Sequence, residues 1–164
     1  MHVSRPSPEH HDADDVVLEA VLGASRALVG IAARSLADAG EEVTLTQYRS
    51  LVVLASRGPQ GLGALAELLS VTPPTVSRMC DRLVRKQLIL RRADPGDRRQ
   101  IRVALSARGR RLVEEVTRRR REELAQLLVS MSSAEQASVA TSLQRLADAA
   151  GEVRDQDWSS GWDL

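Results

Sequence analysis

Residues 72–112 read TPPTVSRMCDRLVRKQLILRRADPGDRRQIRVALSARGRRL and contain two structural signals in succession. The first is a Thr-Pro pair suited to a helix start, followed by apolar residues at helical spacing: Val76, Met79, Cys80, Leu83 and Val84. The second is a pair of short strand-like runs, 89–92 and 100–105, around Asp-Pro-Gly-Asp, a sequence typical of turns. The stretch therefore predicts a helix followed by a β-hairpin.

The other side of the predicted helix is polar and basic. Its residues are Thr72, Pro74, Thr75, Ser77, Arg78, Arg82 and Arg85. A helix that enters the major groove of DNA needs such a side toward bases and phosphates, and its first turn can present free backbone N–H groups to a phosphate. An amphipathic surface helix with solvated arginines has the same pattern, so the helix alone leaves both interpretations open.

The hairpin turn adds further arginines. Arg98 and Arg99 follow its tip, and Arg102 lies in the next strand-like run. The negative potential of a narrow minor groove attracts an inserted guanidinium, and Asp97 is suited to orient one in a bidentate pair. An ordinary exposed ion pair, worth about 0–1 kcal/mol, is the alternative. Beside a basic helix, the hairpin favours the DNA-binding interpretation.

The charges of the chain are strongly segregated, although its net charge is only +1. Residues 71–111 carry twelve Arg and Lys against three acids, whereas residues 1–70 and 112–164 are each net acidic. A polyanion such as DNA would bind the basic block. A protein-interaction adaptor has no need of this concentration of charge, so the distribution favours a regulator that binds double-stranded DNA over an adaptor.

Histidine and cysteine are scarce, because the chain contains only His2, His10, His11 and Cys80. No internal disulfide is possible, ligands for a Cys/His zinc site are missing, and a catalytic base would have to come from the extreme N-terminus. A Gly-rich phosphate loop is also missing. We therefore expect no enzyme activity, no metal and no cofactor, and we interpret His10-His11 as part of a flexible acidic arm.

A membrane segment is not predicted either. The N-terminus is polar and acidic, and the longest continuous apolar run is residues 51–55. We therefore expect a soluble cytoplasmic protein without contact to a membrane.

Further helices are predicted on both sides of the quoted stretch. They cover residues 14–36, 47–56 with a Thr46 cap, 65–69, 106 to about 131 with a Ser106 cap, and 133–150, opened by a Ser132–Glu135 capping box and ended by Gly151. The first of these helices has two apolar stripes, which is more than one domain can cover. A second chain is therefore a candidate partner for it.

The quoted stretch resembles the winged helix of the multiple antibiotic resistance regulator (MarR) family. The motifs that carry the resemblance are T-V-S-R-x-x-D-R-L, D-P-x-D-R-R and V-x-L-S-x-x-G. The resemblance is specific over Leu62–Leu112 and weaker over Asp14–Asp148, and Gln87 stands where the family usually has Gly. It implies a homodimeric repressor that binds palindromic promoter DNA, with Arg99 in the minor groove.

The resemblance also implies how the chain is organised. The fold expected is mainly α with a small β-hairpin, as a winged helix-turn-helix flanked by dimerisation helices. One domain then covers residues 14–148, with dimerisation helices at 14–38 and 106–148 and the winged helix-turn-helix at 46–105. A flexible arm is expected over 1–13, and a tail with Trp158 and Trp162 over 149–164.

Regulators of this family commonly release DNA when a small phenolic or lipophilic ligand enters the cleft between the dimerisation helices and the winged helix. Side chains that would line such a cleft here are Ala24, Leu28, Ile31, Tyr48, Leu51, Leu112 and Val116. Each of them is also suited to an ordinary hydrophobic core, which is the favoured interpretation.

Two other features have plain structural interpretations. Cys80 lies on the apolar side of its helix, which favours a buried structural thiol over a redox switch. The run Arg118 to Arg121 is flanked by glutamates one turn away on each side, which favours ion pairs on a solvated face over a second phosphate-binding patch.

Overall fold

The computed structural model describes residues 8–94, 96 and 100–153, with side chains described from Asp14 onward. The chain is mainly helical with a small antiparallel sheet, which confirms the predicted fold class. Its elements are α1 (Pro8–Asp38), α2 (Leu45–Arg57), β1 (Gln60–Gly61), α3 (Leu62–Leu68), α4 (Pro73–Arg85), β2 (Ile89–Ala93), β3 (Ile101–Leu105), α5 (Ala107–Leu128) and α6 (Ser133–Ala149).

Side-chain caps set the starts of three helices. Ser106 and Ser132 cap α5 and α6 as predicted, and the capping box between Ser132 and Glu135 is present. The cap of α2 is Thr44, so the prediction of Thr46 is wrong by two residues. Thr44 is the cap because Gln47 stands three residues after it: the Thr44 hydroxyl accepts from the Gln47 N–H at 3.2 Å, and the Gln47 side chain accepts from the Thr44 N–H at 3.0 Å.

Other helix bounds differ from the predicted ones by a few residues. Helix α1 begins at Pro8 rather than Asp14, with proline in a first-turn position that needs no N–H. Helix α3 begins at Leu62 rather than Leu65, and α5 ends at Leu128 rather than Met131. Residues 8–13 of the arm predicted over 1–13 thus belong to α1, because the helix continues upstream of Asp14. Residues 1–7 of that arm and the tail residues Trp158 and Trp162 lie outside the described residues.

The three strands form a sheet in the order β1-β3-β2. The hairpin of β2 and β3 pairs Ile89 with Leu105 and Ala93 with Ile101, and β1 adds Gln60 opposite Val103. One hydrophobic core joins the sheet to α2, α3, α4 and the first half of α5. Its fully buried side chains include Leu51, Leu65, Val76, Leu83, Leu88, Val103, Val113 and Val116.

Gly109 lies where α5 passes closest to the start of β2. A Cβ atom at this position would come within 2.0 Å of the Leu88 carbonyl oxygen and 2.9 Å of the Leu105 side chain. The glycine of the V-x-L-S-x-x-G motif is therefore required by packing, because only a residue without a side chain lets the two backbones approach so closely.

The outer parts of α1, α5 and α6 leave much apolar surface exposed. Val16, Val17 and Leu18 of α1 are each more than half exposed, and Val129 at the end of α5 is 81% exposed. Within α6, all of whose residues are described, no side chain is buried. An open groove of about 520 Å³ lies between α1 and α6, lined mainly by apolar residues and by Arg120.

The segment Asp14–Asp38 of α1 is long and apolar enough, by length and composition alone, to cross a membrane. It contains no long continuous apolar run, because Glu19 and Arg26 interrupt it, and so the sequence pattern did not predict this property. A long apolar helix of a protein that is not embedded in a membrane can meet the same criterion, so length and composition alone are weak evidence.

Candidate nucleic-acid interface

Helix α4 has the two faces that its sequence predicts. Val76, Met79, Cys80 and Leu83 are buried, and Val84 is half-buried. The opposite face is exposed, apart from a half-buried Ser77, and consists of Thr72, Pro74, Thr75, Arg78, Arg82 and Arg85. The structure therefore brings the predicted DNA-binding residues of this helix together on one solvent-facing surface.

The first turn of α4 differs from the expectation that it offers free N–H groups to a phosphate. Pro73 and Pro74 have no N–H, and the N–H groups of Thr75 and Val76 both donate to the Thr72 carbonyl oxygen, at 3.0 and 3.1 Å. That expectation is wrong, because a double proline at the start of a helix removes two of the donors that a helix normally leaves free. Side chains must make the contacts at this end.

The turn that joins α3 to α4 is held by its backbone. Ser70 adopts a left-handed conformation with φ of 53°, its N–H donates to Glu67 at 3.0 Å, and the Val71 N–H donates to Ala66 at 3.0 Å. This pair of hydrogen bonds is a Schellman motif. It ends α3 sharply and sets the angle at which α4 leaves it.

The same motif ends α4, with Gln87 in the left-handed position. Its φ is 59°, its N–H donates to Val84, and the Leu88 N–H donates to Leu83, both at 2.9 Å. The position is one that favours glycine, which explains why the family usually has glycine there. The turn keeps its geometry with glutamine, so the hairpin still begins directly after the helix.

An ion pair connects α4 to the hairpin. The guanidinium of Arg91 in β2 donates to Asp81 in α4 at 2.5 Å, and both side chains are 42% exposed. Asp81 is the aspartate of the T-V-S-R-x-x-D-R-L motif. The Asp81 carboxylate thus joins α4 to β2, the first strand of the hairpin.

The base of the hairpin turn is organised by Asp94, the first residue of the Asp-Pro-Gly-Asp sequence, for which no separate role was predicted from the sequence. The Asp94 carboxylate accepts a hydrogen bond from the Gly96 N–H at 2.7 Å and forms an ion pair with Arg102. The backbone N–H of Asp94 donates to the Gln100 carbonyl oxygen at 2.9 Å. The side chain is only 10% exposed. An Asp two residues before a Gly in a turn is a recognisable signal for this Asx-type bond.

The tip of the hairpin contains Asp97, Arg98 and Arg99, which lie outside the described residues. Their proposed contact with a minor groove, and the orienting role of Asp97, therefore stay predictions. Within the described part of the hairpin, the carboxylate that orients an arginine belongs to Asp94 and the arginine is Arg102. The base of the hairpin is thus held by the contacts of Asp94 with Gly96 and Arg102.

The exposed arginines of α4 are available to a ligand. Arg78, Arg82 and Arg85 form no ion pair with any residue that the structure describes. Within the described parts of α4 and the hairpin, the acids Asp81 and Asp94 are paired with Arg91 and Arg102. The surface therefore presents net positive charge from a helix and from a hairpin on its flank, which suits a polyanion.

The seven candidate ligand residues differ in exposure, and their role in binding a ligand stays a prediction. Ala24 and Leu28 border the open groove between α1 and α6. The other five are buried side chains of the protein interior: Ile31, Tyr48, Leu51, Leu112 and Val116. The groove is lined instead, beside Ala24 and Leu28, by residues such as Val21 and Leu143.

Cys80 and two residues of the arginine run of α5, Arg118 and Arg119, have the structural roles favoured by their sequence context. The Cys80 side chain is fully buried, and burial raises the pKa of its thiol to about 11. Arg118 donates to Glu115 and Glu122, and Arg119 donates to Glu115. These hydrogen bonds, the one from Arg118 foremost, hold the pKa of Glu115 at about 2.

The sequence of this chain is similar to those of transcriptional regulators. The sequence model of the MarR family matches residues 43–101, which span α2 to the start of β3. The HTH-type transcriptional repressor MdtR of Bacillus subtilis is 33% identical over 119 residues, which are 73% of this chain and 77% of that protein.

Two solved structures extend the similarity beyond the winged helix. The crystal structure of RV1404 from Mycobacterium tuberculosis superimposes with a TM-score of 0.81 at 40% identity, over 93% of this chain and 99% of that one. Staphylococcus aureus MepR bound to ethidium bromide superimposes with a TM-score of 0.58 at 25% identity, over 80% of this chain and 94% of that one. The similarity thus includes the flanking helices.

Proposed function

The chain belongs to the MarR family of HTH-type transcriptional regulators, and we propose that it is a homodimeric repressor that binds palindromic promoter DNA. The observation that carries the proposal is the exposed basic face of α4, joined by the Asp81–Arg91 ion pair to the hairpin beside it. In this proposal α4 is the recognition helix, and the hairpin of β2 and β3 is the wing.

The recognition helix reads bases in the major groove through the side chains that project from its first two turns. In this proposal Thr75, Ser77 and Arg78 contact base edges, and Arg82 and Arg85, which lie further along the helix, contact phosphates. Because the first turn has no free N–H group, guanidinium groups and hydroxyls supply the contacts. Arg99 at the tip of the wing enters the minor groove.

A second copy of the chain covers the exposed apolar surface of α1, α5 and α6. Valines and leucines that are half exposed or more lie along one end of the molecule, and α6 has no buried side chain of its own. Exposed apolar patches of this kind mark interaction sites. A homodimer also places two recognition helices on the two halves of a palindrome.

The proposal includes release from DNA by a small lipophilic or phenolic ligand. MepR is a neighbour in structure that binds ethidium, a planar lipophilic molecule. Of the seven candidate residues, Ala24 and Leu28 border an open groove, so a ligand can reach them without disturbing the core. A ligand there lies against the helices that hold the dimer together and can shift the two recognition helices.

The proposed sign of regulation is supported by the similarity to MdtR, and the proposed location depends on the proposed function. MdtR, of which the chain covers more than two thirds, is a transcriptional repressor. A promoter-binding protein acts where the chromosome is, so the proposal places this chain in the cytoplasm. The apolar segment Asp14–Asp38 then faces the second copy rather than lipid.

The test of this function is selection of duplexes by the wild-type protein from a random library long enough for two half-sites about 10 base pairs apart. We expect a palindromic consensus. Arg78→Ala is expected to relax the preference at one base pair in each half-site. Arg118→Ala is the matched control, because the Arg118 guanidinium is already engaged by Glu115 and Glu122.

The competing function is a protein-interaction adaptor that keeps the winged helix as a scaffold. An adaptor would recover no consensus sequence, and Arg78→Ala would then behave as Arg118→Ala does. That pair of results would overturn the proposed function.

A further inference from the structure

Two arginines of α2 hold the C-terminal end of α6. The Arg49 guanidinium forms two hydrogen bonds to the Glu152 carboxylate, one of 3.1 Å from Nη1 to Oε2 and a second from Nη2 to Oε1. The Arg57 Nη2 donates to the Gly151 carbonyl oxygen at 2.6 Å. Residues 103 positions apart in sequence are thereby joined by a bidentate pair, and a bond to the backbone lies beside it.

The end of α6 is shaped to receive these arginines. Gly151 has a φ of +71°, its N–H donates to Asp148 at 3.1 Å, and the Glu152 N–H donates to Ala147 at 3.0 Å. This Schellman motif fixes the Gly151 carbonyl and the Glu152 side chain just beyond the helix. The partial negative charge at a helix C-terminus also favours the two guanidinium groups.

The contact joins two parts of the molecule that have different tasks in the proposed function. We call the part from α2 to β3 the reading head, because it contains the recognition helix and the wing. We call α1, α6 and the part of α5 beyond Val116 the helical arm. Helix α5 runs continuously from one to the other, with Val113 and Val116 buried in the core and Glu123 paired with Arg34 of α1.

Helix α5 connects the two bodies, and the end of α1 joins the head as well, because Leu36 is buried in the same core. Helix α6 has no buried side chain in that core, so its angle to the head depends on the contacts at its far end. Arg49 and Arg57 stand two helical turns apart on α2, about 12 Å along its axis, and converge on two adjacent residues just beyond the end of α6. Because no side chain of α6 is buried, packing within the described chain does little to fix this helix against the head.

We infer that Arg49 and Arg57 are positioning residues that set the angle between the reading head and the helical arm, and thereby the half-site spacing that the dimer accepts. The inference rests on the proposed function, since it assumes that the arm carries the dimer interface. The two residues touch no base in this role. They raise the fraction of dimers whose two recognition helices already match one spacing.

The experiment compares Arg49→Gln, Arg57→Gln and Glu152→Gln on the duplex selected by the wild-type protein and on versions with one or two base pairs inserted or removed between the half-sites. Each variant is expected to bind the selected duplex about three- to tenfold more weakly, because the apparent Kd rises as the competent fraction falls. The penalty for altered spacing should shrink, while binding to random duplex should not change.

Glu152→Gln separates positioning from direct contact with DNA. If Arg49 acted by touching a phosphate, removal of the nearby acid would leave binding unchanged or strengthen it. In the positioning role, Glu152→Gln weakens binding as Arg49→Gln does. The exchanged pair Arg49→Glu with Glu152→Arg is expected to restore both affinity and spacing preference, and Arg118→Gln is the control for loss of one paired, exposed arginine.

Circular dichroism and light scattering show whether each variant is folded and dimeric, so that a loss of binding is not a loss of structure. Wild-type spacing preference in both Arg49→Gln and Glu152→Gln would overturn the inference and leave the proposed function intact. If the wild-type protein selects no consensus duplex at all, the proposed function itself fails.

Discussion

The hydroxyl of Ser106 donates a 2.6 Å hydrogen bond to the carbonyl oxygen of Gln87. The same hydroxyl accepts from the Gly109 N–H at 2.9 Å, and the Ser106 N–H donates to Leu88 at 3.1 Å. The first turn of α5 is thus joined to the end of the recognition helix at the point where the backbone is left-handed. This contact stabilises the left-handed conformation of Gln87 despite its strain.

Gln87→Gly is expected to stabilise the protein by about 0.5–1 kcal/mol, because glycine avoids the cost of a left-handed residue and only part of that gain is lost to the entropy of the unfolded chain. Urea unfolding measures the change. Gln87→Ala keeps the unfavourable conformation and serves as the control, and an equal gain in both variants would contradict the explanation from φ.

Gly109→Ala is expected to destabilise the protein by roughly 2–4 kcal/mol, since the added Cβ would collide with the Leu88 carbonyl and force the backbones apart. At Gly63 in α3, an added Cβ would meet no described atom within 4 Å, so Gly63→Ala should instead gain up to about 1 kcal/mol. Thermal unfolding of the two variants side by side checks the opposite signs.

Cys80→Ser is expected to keep its affinity for the selected duplex and to lose some stability, because a buried thiol is replaced by a hydroxyl. Iodoacetamide should label native Cys80 slowly at pH 8 and rapidly in urea. Release of DNA by peroxide that disappears in Cys80→Ser would contradict a structural role.

The ionisation of Cys80 also gives stability a pH dependence with a definite sign. Its pKa is about 11 in the folded protein against 9.0 in an exposed chain, so the unfolded state loses its proton first. The contribution is present below pH 9 and is lost as the pH rises toward 11. Urea unfolding at pH 8 and at pH 10.5 should therefore differ more for the wild type than for Cys80→Ser.

Leu18→Glu is expected to shift the protein from a dimer to a monomer of 17.9 kDa, because a charge would be placed in the proposed interface, where Leu18 is 59% exposed in the single chain. Light scattering at low micromolar concentration measures the mass. Ile101→Glu alters a similarly exposed apolar residue in β3 and should remain dimeric. A wild-type mass near that of one chain would refute the dimer.

Arg99→Ala is expected to lower affinity for the selected duplex by about 1–3 kcal/mol per half-site, and the loss should shrink when flanking A·T pairs are replaced by G·C. Arg85→Ala should weaken all duplexes alike and reduce the salt slope by roughly one. Isotherms at several salt concentrations distinguish the two. Wild-type affinity in Arg99→Ala would rule out the minor-groove role.

Local sequence patterns were sufficient to predict the elements from α4 to the start of α5. The apolar spacing of α4, the Ser106 cap and the Asp-Pro-Gly turn sequence each act within a few residues. The structure has the first two, together with the hydrogen bond from Gly96 to Asp94 in the turn. The exact cap of α2 was harder to predict from the sequence, because Thr44 and Thr46 are both suitable cap residues. The choice depends on the hydrogen bond that the Gln47 side chain accepts from the Thr44 N–H.

Contacts between distant residues were not predictable in this way. Nothing near Arg49 in sequence indicates Glu152, since their approach depends on how α6 returns along the molecule. The role of Asp94 as the carboxylate that pairs with Arg102 was missed for a different reason. Asp97 stands nearer to the arginines in sequence, whereas the turn folds the carboxylate of Asp94 onto Arg102 across the hairpin.

The double proline at the start of the recognition helix has a practical consequence for the study of DNA binding by nuclear magnetic resonance. Pro73 and Pro74 give no amide signal in a proton–nitrogen correlation spectrum, and the next two amides are already bonded to Thr72. A titration with DNA followed through amides would therefore under-report contact at the helix start. Spectra that detect the side-chain nitrogens of Arg78 and the methyl groups of Thr72 and Thr75 would record it directly.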